Sequence, residues 1–243
     1  MKLAVLSDVH GNLEAFEAVL EDMKSQGIDD AISLGDIIGY GPDPGPCVDL
    51  MIESKMMSIM GNHEWVLKRN THRRWFNVSS RVSVDLTAHL LTEKQLEYVT
   101  SLPETALWHN TLCVHGSPPD SILRYLHQYD DKSLARAMDK MPVDICFVGH
   151  THDLMVFERD SISVERHDLP EGTMELKEET RYIINAGAVG QPRDDYNTQA
   201  KYLIWEPEKN SVTVRFVPYD VEKTIEKMHD RGFPDRFIKR LKP

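Results

Sequence analysis

The chain has 243 residues, 41% hydrophobic and 28% charged, and a net charge of −11 from 28 basic and 39 acidic side chains. That is enough chain for one full core. It excludes a membrane span, since no run approaches about 18 apolar residues, and it argues against a protein that grips nucleic-acid backbones, which relies on Lys and Arg contacts. Cys47, Cys113 and Cys146 show no CxxC spacing, so neither a disulfide framework nor a cysteine metal site is expected. Cys113 and Cys146 lie in apolar runs and read as core residues. The N-terminus is too short in apolar residues for a signal peptide, and a cytoplasmic protein is expected.

Lys2–Leu6 reads as a buried strand. A helix follows over Leu13–Gln26, with Asn12 as N-cap, apolar residues at helical spacing and Gly27 as stop. Ala31–Leu34 is a second strand, leading into the Gly/Pro-rich loop Gly35–Pro46. A helix near Cys47–Glu53 and a strand over Met56–Met60 complete a βαβ pattern with parallel order. Ser79–Ser101 is helical, and Thr92-Glu93-Lys94-Gln95 has the form of a capping box. Strands are expected at Thr105–Trp108 and Thr111–His115, a helix near Lys132–Met141, and a strand over Ile145–Val148. The last third alternates as a mostly antiparallel set: Leu154–Glu158, Ser161–His167, Arg181–Ile184, Lys201–Trp205 and Ser211–Pro218. Glu171–Thr180 reads as an acidic surface turn, and helices near Val221–Arg231 and Pro234–Leu241 end the chain. One domain over residues 1–243 is expected.

The predicted strands end in polar residues beside glycine. Asp8-Val9-His10-Gly11-Asn12 follows the first strand, Gly35-Asp36 the second, and Gly61-Asn62-His63-Glu64 the third. Later strands end in His115-Gly116 and in Gly149-His150-Thr151-His152. The carboxyl edge of an open α/β sheet is where ligands bind. Carboxylates with imidazoles and no thiolate suit divalent ions such as Mn, Fe or Zn. Each motif alone is weak, because a His-x-His pair or an Asp after a strand is common. Five together are informative, since buried without a partner each polar group would be costly. The two-residue spacing of Asp8/His10 and His150/His152 would place each pair on one face of a regular strand, unless the motifs have already left the strand.

This motif set resembles the calcineurin-like metallophosphoesterase superfamily, and its flanking residues resemble the small bacterial and archaeal single-domain phosphodiesterase branch. The likeness spans about residues 3 to 193. It implies an α/β (α+β) fold: a four-layer α/β/β/α sandwich of two mixed β-sheets flanked by helices. It also implies two divalent metal ions (Mn, Fe, Zn or Ni), one on Asp8, His10, Asp36 and His152, the other on Asp36, Asn62, His115 and His150. His63 would be the catalytic residue that helps the leaving group while a bridging hydroxide attacks phosphorus. Glu64 stands where many relatives carry Asp, and Asn185-Ala186-Gly187-Ala188 where Asn-Pro-Gly-Ser is usual. Both leave the metal positions untouched.

The expected function is a phosphodiesterase acting on a small phosphoester or nucleotide. A dinucleoside polyphosphate (diadenosine tetraphosphate) hydrolase is the next reading; a protein phosphatase, a DNA nuclease and a non-catalytic scaffold follow. Arg193, at the end of the loop from Asn185, is a candidate phosphate contact, against the plainer reading of an ion pair with Asp194 or Asp195. The basic run from Lys68 to Arg74 could hold a phosphate chain or be a solvated face. Tyr40, Trp65 and Trp75 could stack on a base or belong to the core. His72, His89, His109, His127, His167 and His229 belong to no motif.

Overall fold

The computed structural model describes residues 1–69, 78–194 and 196–242. Its first strand, β1 (Leu3–Leu6), is buried at every position. Leu3 and Val5 face one apolar cluster while Ala4 and Leu6 face another, the period-two alternation of a strand covered on both sides. α1 (Leu13–Gln26) opens where Asn12 accepts from the Ala15 N–H at 3.2 Å, and closes at Gly27 with φ 66°. β2 (Asp30–Ser33) and β3 (Met57–Ser58) flank α2 (Pro44–Glu53). α2 begins three residues earlier than its apolar pattern predicts, because proline fits the first helical turn, where no N–H is needed. β3 is shorter than predicted, with two residues paired to β2.

α3 (Asn62–Lys68), α4 (Val78–Leu90) and α5 (Glu93–Ser101) follow. The capping box forms as predicted: Thr92 Oγ1 accepts from the Gln95 N–H and Gln95 Oε1 from the Thr92 N–H. Next come β4 (Thr105–Trp108), β5 (Thr111–Val114), α6 (Asp131–Asp139) and β6 (Ile145–Val148). The last third supplies β7 (Leu154–Arg159), β8 (Val164–Asp168), β9 (Gly172–Glu175), β10 (Arg181–Ala186), β11 (Ala200–Glu206), β12 (Ser211–Val217), α7 (Val221–Asp230) and α8 (Asp235–Ile238).

These strands form two mixed sheets, in the orders β3-β2-β1-β11-β12-β9 and β4-β5-β6-β10-β7-β8. β1, β2 and β3 run parallel, as do β5, β6 and β10; the remaining pairs are antiparallel. One apolar cluster fills the space between the sheets, with Val5, Phe147, Ile184 and Leu203 in it. A second packs α1 and α2 on the first sheet, and a third packs α6 on the second. The layers are therefore helices, sheet, sheet, helices. The surface turn expected over Glu171–Thr180 is corrected in part: Gly172–Glu175 is an edge strand paired with β12. Acidic residues masked its alternation, in which Met174 and Leu176 turn toward the core between the sheets. All three cysteines are buried and free. Among the described residues no helix is long and apolar enough to cross a membrane.

Candidate metal centre

The five polar motifs leave β1, β2, β3, β5 and β6 at their carboxyl ends and converge. Asp8 (φ 56°), His10 (φ 50°), Asp36 (φ 53°), His150 (φ 69°) and His152 (φ 66°) are all left-handed. A non-glycine residue pays for that conformation, so it persists only where the surroundings fix it. Of the two readings of the Asp8/His10 and His150/His152 spacing, the structure takes the second: these pairs have left the pleat, and backbone bonds between loops hold them instead. The Asp8 N–H donates to Gly35 O at 3.0 Å, His10 N–H to Asp36 O at 2.9 Å, and Gly149 N–H to His115 O at 2.9 Å. Glycine is required for this closeness. A Cβ on Gly149 would collide with Ser7 Oγ, and one on Gly61 with the Asp36 backbone N and Oδ1. Glu64, fully buried, accepts from the N–H groups of Asp36 (2.9 Å), Gly61 (2.9 Å) and Ile38 (3.2 Å), tying the second loop to the third.

The side chains meet in a buried polar cluster. Asp8 Oδ1 lies 3.1 Å from His152 Nε2 and 3.4 Å from His10 Nε2. Asp36 Oδ2 lies 3.4 Å from His115 Nε2 and 3.6 Å from His10 Nε2, so it faces both halves. Asn62 Oδ1 is 3.0 Å from His115 Nε2. Asp8, His10 and His152, and likewise Asp36, His115 and His150, each bring one ligand atom apiece within 4.8 Å of one another. His63 Nε2 stands off at 4.0 Å from Asp36 Oδ2, its ring edge-on to His10 and Tyr40.

The remote ring nitrogens decide what the near ones can do. His10 Nδ1 lies 2.9 Å from Ile38 O, His115 Nδ1 2.8 Å from Leu34 O, and His152 Nδ1 2.6 Å from Gln191 O. A carbonyl only accepts, so each Nδ1 carries the proton and each Nε2 of a neutral ring presents a lone pair. His150 is reversed: its Nε2 donates to Leu123 O at 3.2 Å, which leaves Nδ1 to face the cluster. His10 and His152 then oppose two lone pairs at 3.1 Å, an arrangement that a cation between donors relieves. Imidazoles anchored through the second nitrogen to a backbone carbonyl are the usual setting of metal ligands. Without thiolates, the donor set suits a hard or borderline divalent ion.

Electrostatics agree. Burial would raise both carboxyls, yet His152 beside Asp8 and His115 beside Asp36 hold them below the ordinary range. Burial lowers His63 to about 3, against the pull of Asp36, and lowers His150 to about 3 with help from the His115 charge. His152 falls to about 4 through burial and Arg193. His115 alone rises, to about 9: burial opposes its charge and Asp36 outweighs burial. Burial and Asp36 push Glu64 up to about 7. Asp8 and Asp36 are thus ionised and the His150 and His152 rings neutral, as cation binding requires, while His115 would have to give up a proton to a bound cation.

All eight residues singled out from the motifs lie in this cluster. Arg193 borders it: its N–H donates to His152 O at 3.2 Å and its guanidinium stands over the Tyr40 ring at 5.8 Å. Its expected partner Asp194 is turned to Lys201 at 3.0 Å, and Asp195 lies outside the described residues. Tyr40 packs against His10, while Trp65 belongs to the helical core. Arg69 pairs with Glu104 at 3.3 Å; His72, Trp75 and the basic residues beyond 69 lie outside the described residues. Four contributors were not singled out. Besides Glu64, Tyr125 stacks on His150 with centroids 3.9 Å apart, Asn185 donates to Gly149 O at 3.0 Å and Thr151 Oγ1 at 2.8 Å, and Gln191 receives His152. Glu64 was visible through its place in the third motif and Asn185 and Gln191 through theirs in a glycine-rich loop, whereas Tyr125 had no signal.

Two mixed sheets with polar residues gathered at their shared carboxyl edge define a metallophosphoesterase-like class of protein. Residues 1–210 match the model of the calcineurin-like phosphoesterase superfamily domain, and the chain belongs to that superfamily. It is 33% identical over 245 residues to an uncharacterized protein of Methanocaldococcus jannaschii, covering 98% of this chain and 96% of that one. A metallophosphoesterase from Sphaerobacter thermophilus superposes with TM-score 0.83 and 36% identity, covering 99% of this chain and 98% of that one. A hypothetical protein of Pyrococcus horikoshii superposes with TM-score 0.80 at 18% identity, covering 99% and 97%, and shares the fold. The family is metal-dependent, and its chemistry is hydrolysis of phosphoesters.

Proposed function

We propose that this protein is a phosphodiesterase that holds two divalent cations. Asp8, His10, Asp36 and His152 would bind one; Asp36, Asn62, His115 and His150 the other. The observation that carries the reading is the pair of opposed Nε2 lone pairs on His10 and His152, each ring locked by a carbonyl behind it. Such cations, when bound, polarise phosphoryl oxygens and acidify water.

The chain's own part is positioning. The carbonyls of Ile38, Leu34 and Gln191 hold three imidazoles so that little reorganisation is needed on binding. Asp36 turns one oxygen to both halves, while its Oδ1 accepts from the His63 N–H at 2.9 Å. That bond fixes His63 at the edge of the cluster, where its ring N–H can donate a hydrogen bond to the departing oxygen. Tyr125 and Tyr40 flank the cluster and restrict water.

The test is an assay with Mn²⁺ on bis(p-nitrophenyl) phosphate, p-nitrophenyl phosphate and diadenosine tetraphosphate, with bound metal counted by mass spectrometry. The diester is expected to be cleaved. His63→Ala should lower kcat by about 10²–10⁴-fold with metal retained, and Asp36→Asn should lose both metal and activity. Full metal content without hydrolysis of any ester would instead identify a binding scaffold on this fold.

A further inference from the structure

α7 and α8 follow the stretch that matches the family domain, and they dock beside the metal centre. Lys227 Nζ reaches Glu14 Oε1 at 2.5 Å and Asp43 Oδ2 at 2.6 Å, and Arg231 pairs with Asp43 Oδ1 at 2.7 Å. Thr224 Oγ1 donates to the α1 cap, 3.1 Å from Asn12 Oδ1. Phe237 then packs on Tyr40 with centroids 5.2 Å apart, and Leu241 shares a small cavity with His10, Tyr40 and Gln191.

This docking delivers Arg240. Its Nη1 donates to Gln191 Oε1 at 3.1 Å, and the same oxygen accepts from Arg193 Nη2 at 3.2 Å. The backbone carbonyl of Gln191 is the one that anchors His152. Two guanidiniums therefore converge on one amide next to a metal-facing imidazole, in a protein of net charge −11. Among the described residues neither has a carboxylate at ion-pair distance. Asp194 is committed to Lys201, and Asp153 acts on Arg193 only through space. Among the described residues, buried Arg193 Nε has no acceptor. Burial and Arg193 push the Arg240 pKa down, the mark of a cation brought up against a like charge. Two such cations held together with no anion among the described residues fit an anion site.

We propose that Arg193 and Arg240 clamp a second phosphate of the substrate, so that the ester hydrolysed here carries two linked phosphates, as in a nucleoside diphosphate derivative. The inference rests on the phosphoester reading of the centre. Water supplies the new P–O bond at the metal-facing phosphorus. The P–O bond to the leaving oxygen breaks, that oxygen departs with the bonding pair, and the water's protons go to it and to solvent. A simple aryl diester lacks the second phosphate and would leave both guanidiniums unmatched.

The experiment uses the full-length Mn²⁺-loaded protein and two probes that differ by one phosphate, ADP and AMP, with affinities read by calorimetry. Wild type is expected to bind ADP about tenfold or more tightly than AMP. Arg240→Ala and Arg193→Ala should each erode that preference by up to about tenfold, leaving the two probes nearly equal, the scale of one hydrogen bond to a charged group. Arg240→Lys, keeping charge without the fork, should fall between. The ratio of kcat/KM on diadenosine tetraphosphate to that on the aryl diester should drop in parallel. Loss of a purely structural contact would weaken both probes equally. Equal affinity for ADP and AMP in wild type, or an undiminished preference in both alanine variants, overturns the clamp. Failure to hydrolyse any ester would instead remove the phosphoester reading, and the ADP-to-AMP comparison would still decide the clamp.

Discussion

Two neighbouring parts of the molecule are held by different forces. The loops around Asp36 are fixed by backbone hydrogen bonds, left-handed residues and glycines with no room for a Cβ. The α7–α8 pair beside them is fixed by Lys227 and Arg231 on buried carboxylates and by a small apolar cluster of Ile225, Met228, Phe237 and Leu241. The first arrangement cannot shift without collision, which suits ligand atoms that must stay within a few tenths of an ångström. The second depends on charge, so pH and salt reach it first. Rigid chemistry is thus framed by a more adjustable wall.

The largest test of this contrast is Gly149→Ala. A methyl group against Ser7 and Asp8 should cost about 3 kcal/mol, or roughly 6–12 °C in the unfolding midpoint of a chain this size. Calorimetry checks that, and metal content should fall with it. A midpoint shift within about 2 °C would mean that the loops yield more than their contacts imply.

A smaller effect is expected from Glu14→Gln, which weakens the docking of α7. Burial acts to raise the Glu14 carboxyl, but Lys227 and Lys223 outweigh it and hold the carboxyl below its ordinary 4.5. A depressed carboxyl stabilises the fold above its unfolded value, and that contribution is lost as pH falls through the folded one. Urea unfolding should therefore show wild type ahead by about 1–2 kcal/mol at neutral pH, with the gap closing below pH 4.5. A gap that persists in acid would show that packing, not charge, fixes α7. The smallest effect belongs to Lys223→Ala. Its half-exposed ammonium meets the same carboxylate at 3.2 Å, and exposed pairs are worth under about 1 kcal/mol.

Legibility in the sequence follows the distance over which each contact acts. Asn12 and Gly27 bound α1 through bonds within a few residues, and Thr92 and Gln95 cap α5 the same way. The polar strand ends were visible because the βαβ order brings successive carboxyl ends to one edge. Contacts across the fold were not. Tyr125 meets His150 from a loop 25 positions away, and Asn185 braces Gly149 from 36 away. Glu64 looks in sequence like a variant of a motif position, whereas its work is to cap three N–H groups of two loops. Arg240, in the turn after α8 and in no motif, gave no signal at all. β9 was hidden because it is four residues long, opens on a glycine and ends on Glu175, both of which also mark turns.

The left-handed backbone at positions 8, 10, 36, 150 and 152 also bears on how such a centre can decay. Neutral drift could remove the need for a ligand there without removing the need for positive φ, which the loop geometry would still impose. Glycine and asparagine tolerate that region best. A lineage that kept the architecture and abandoned the reaction would therefore accumulate those two residues at these five positions before any others. The same pair offers an engineer a way to silence the centre while sparing the loops that surround it.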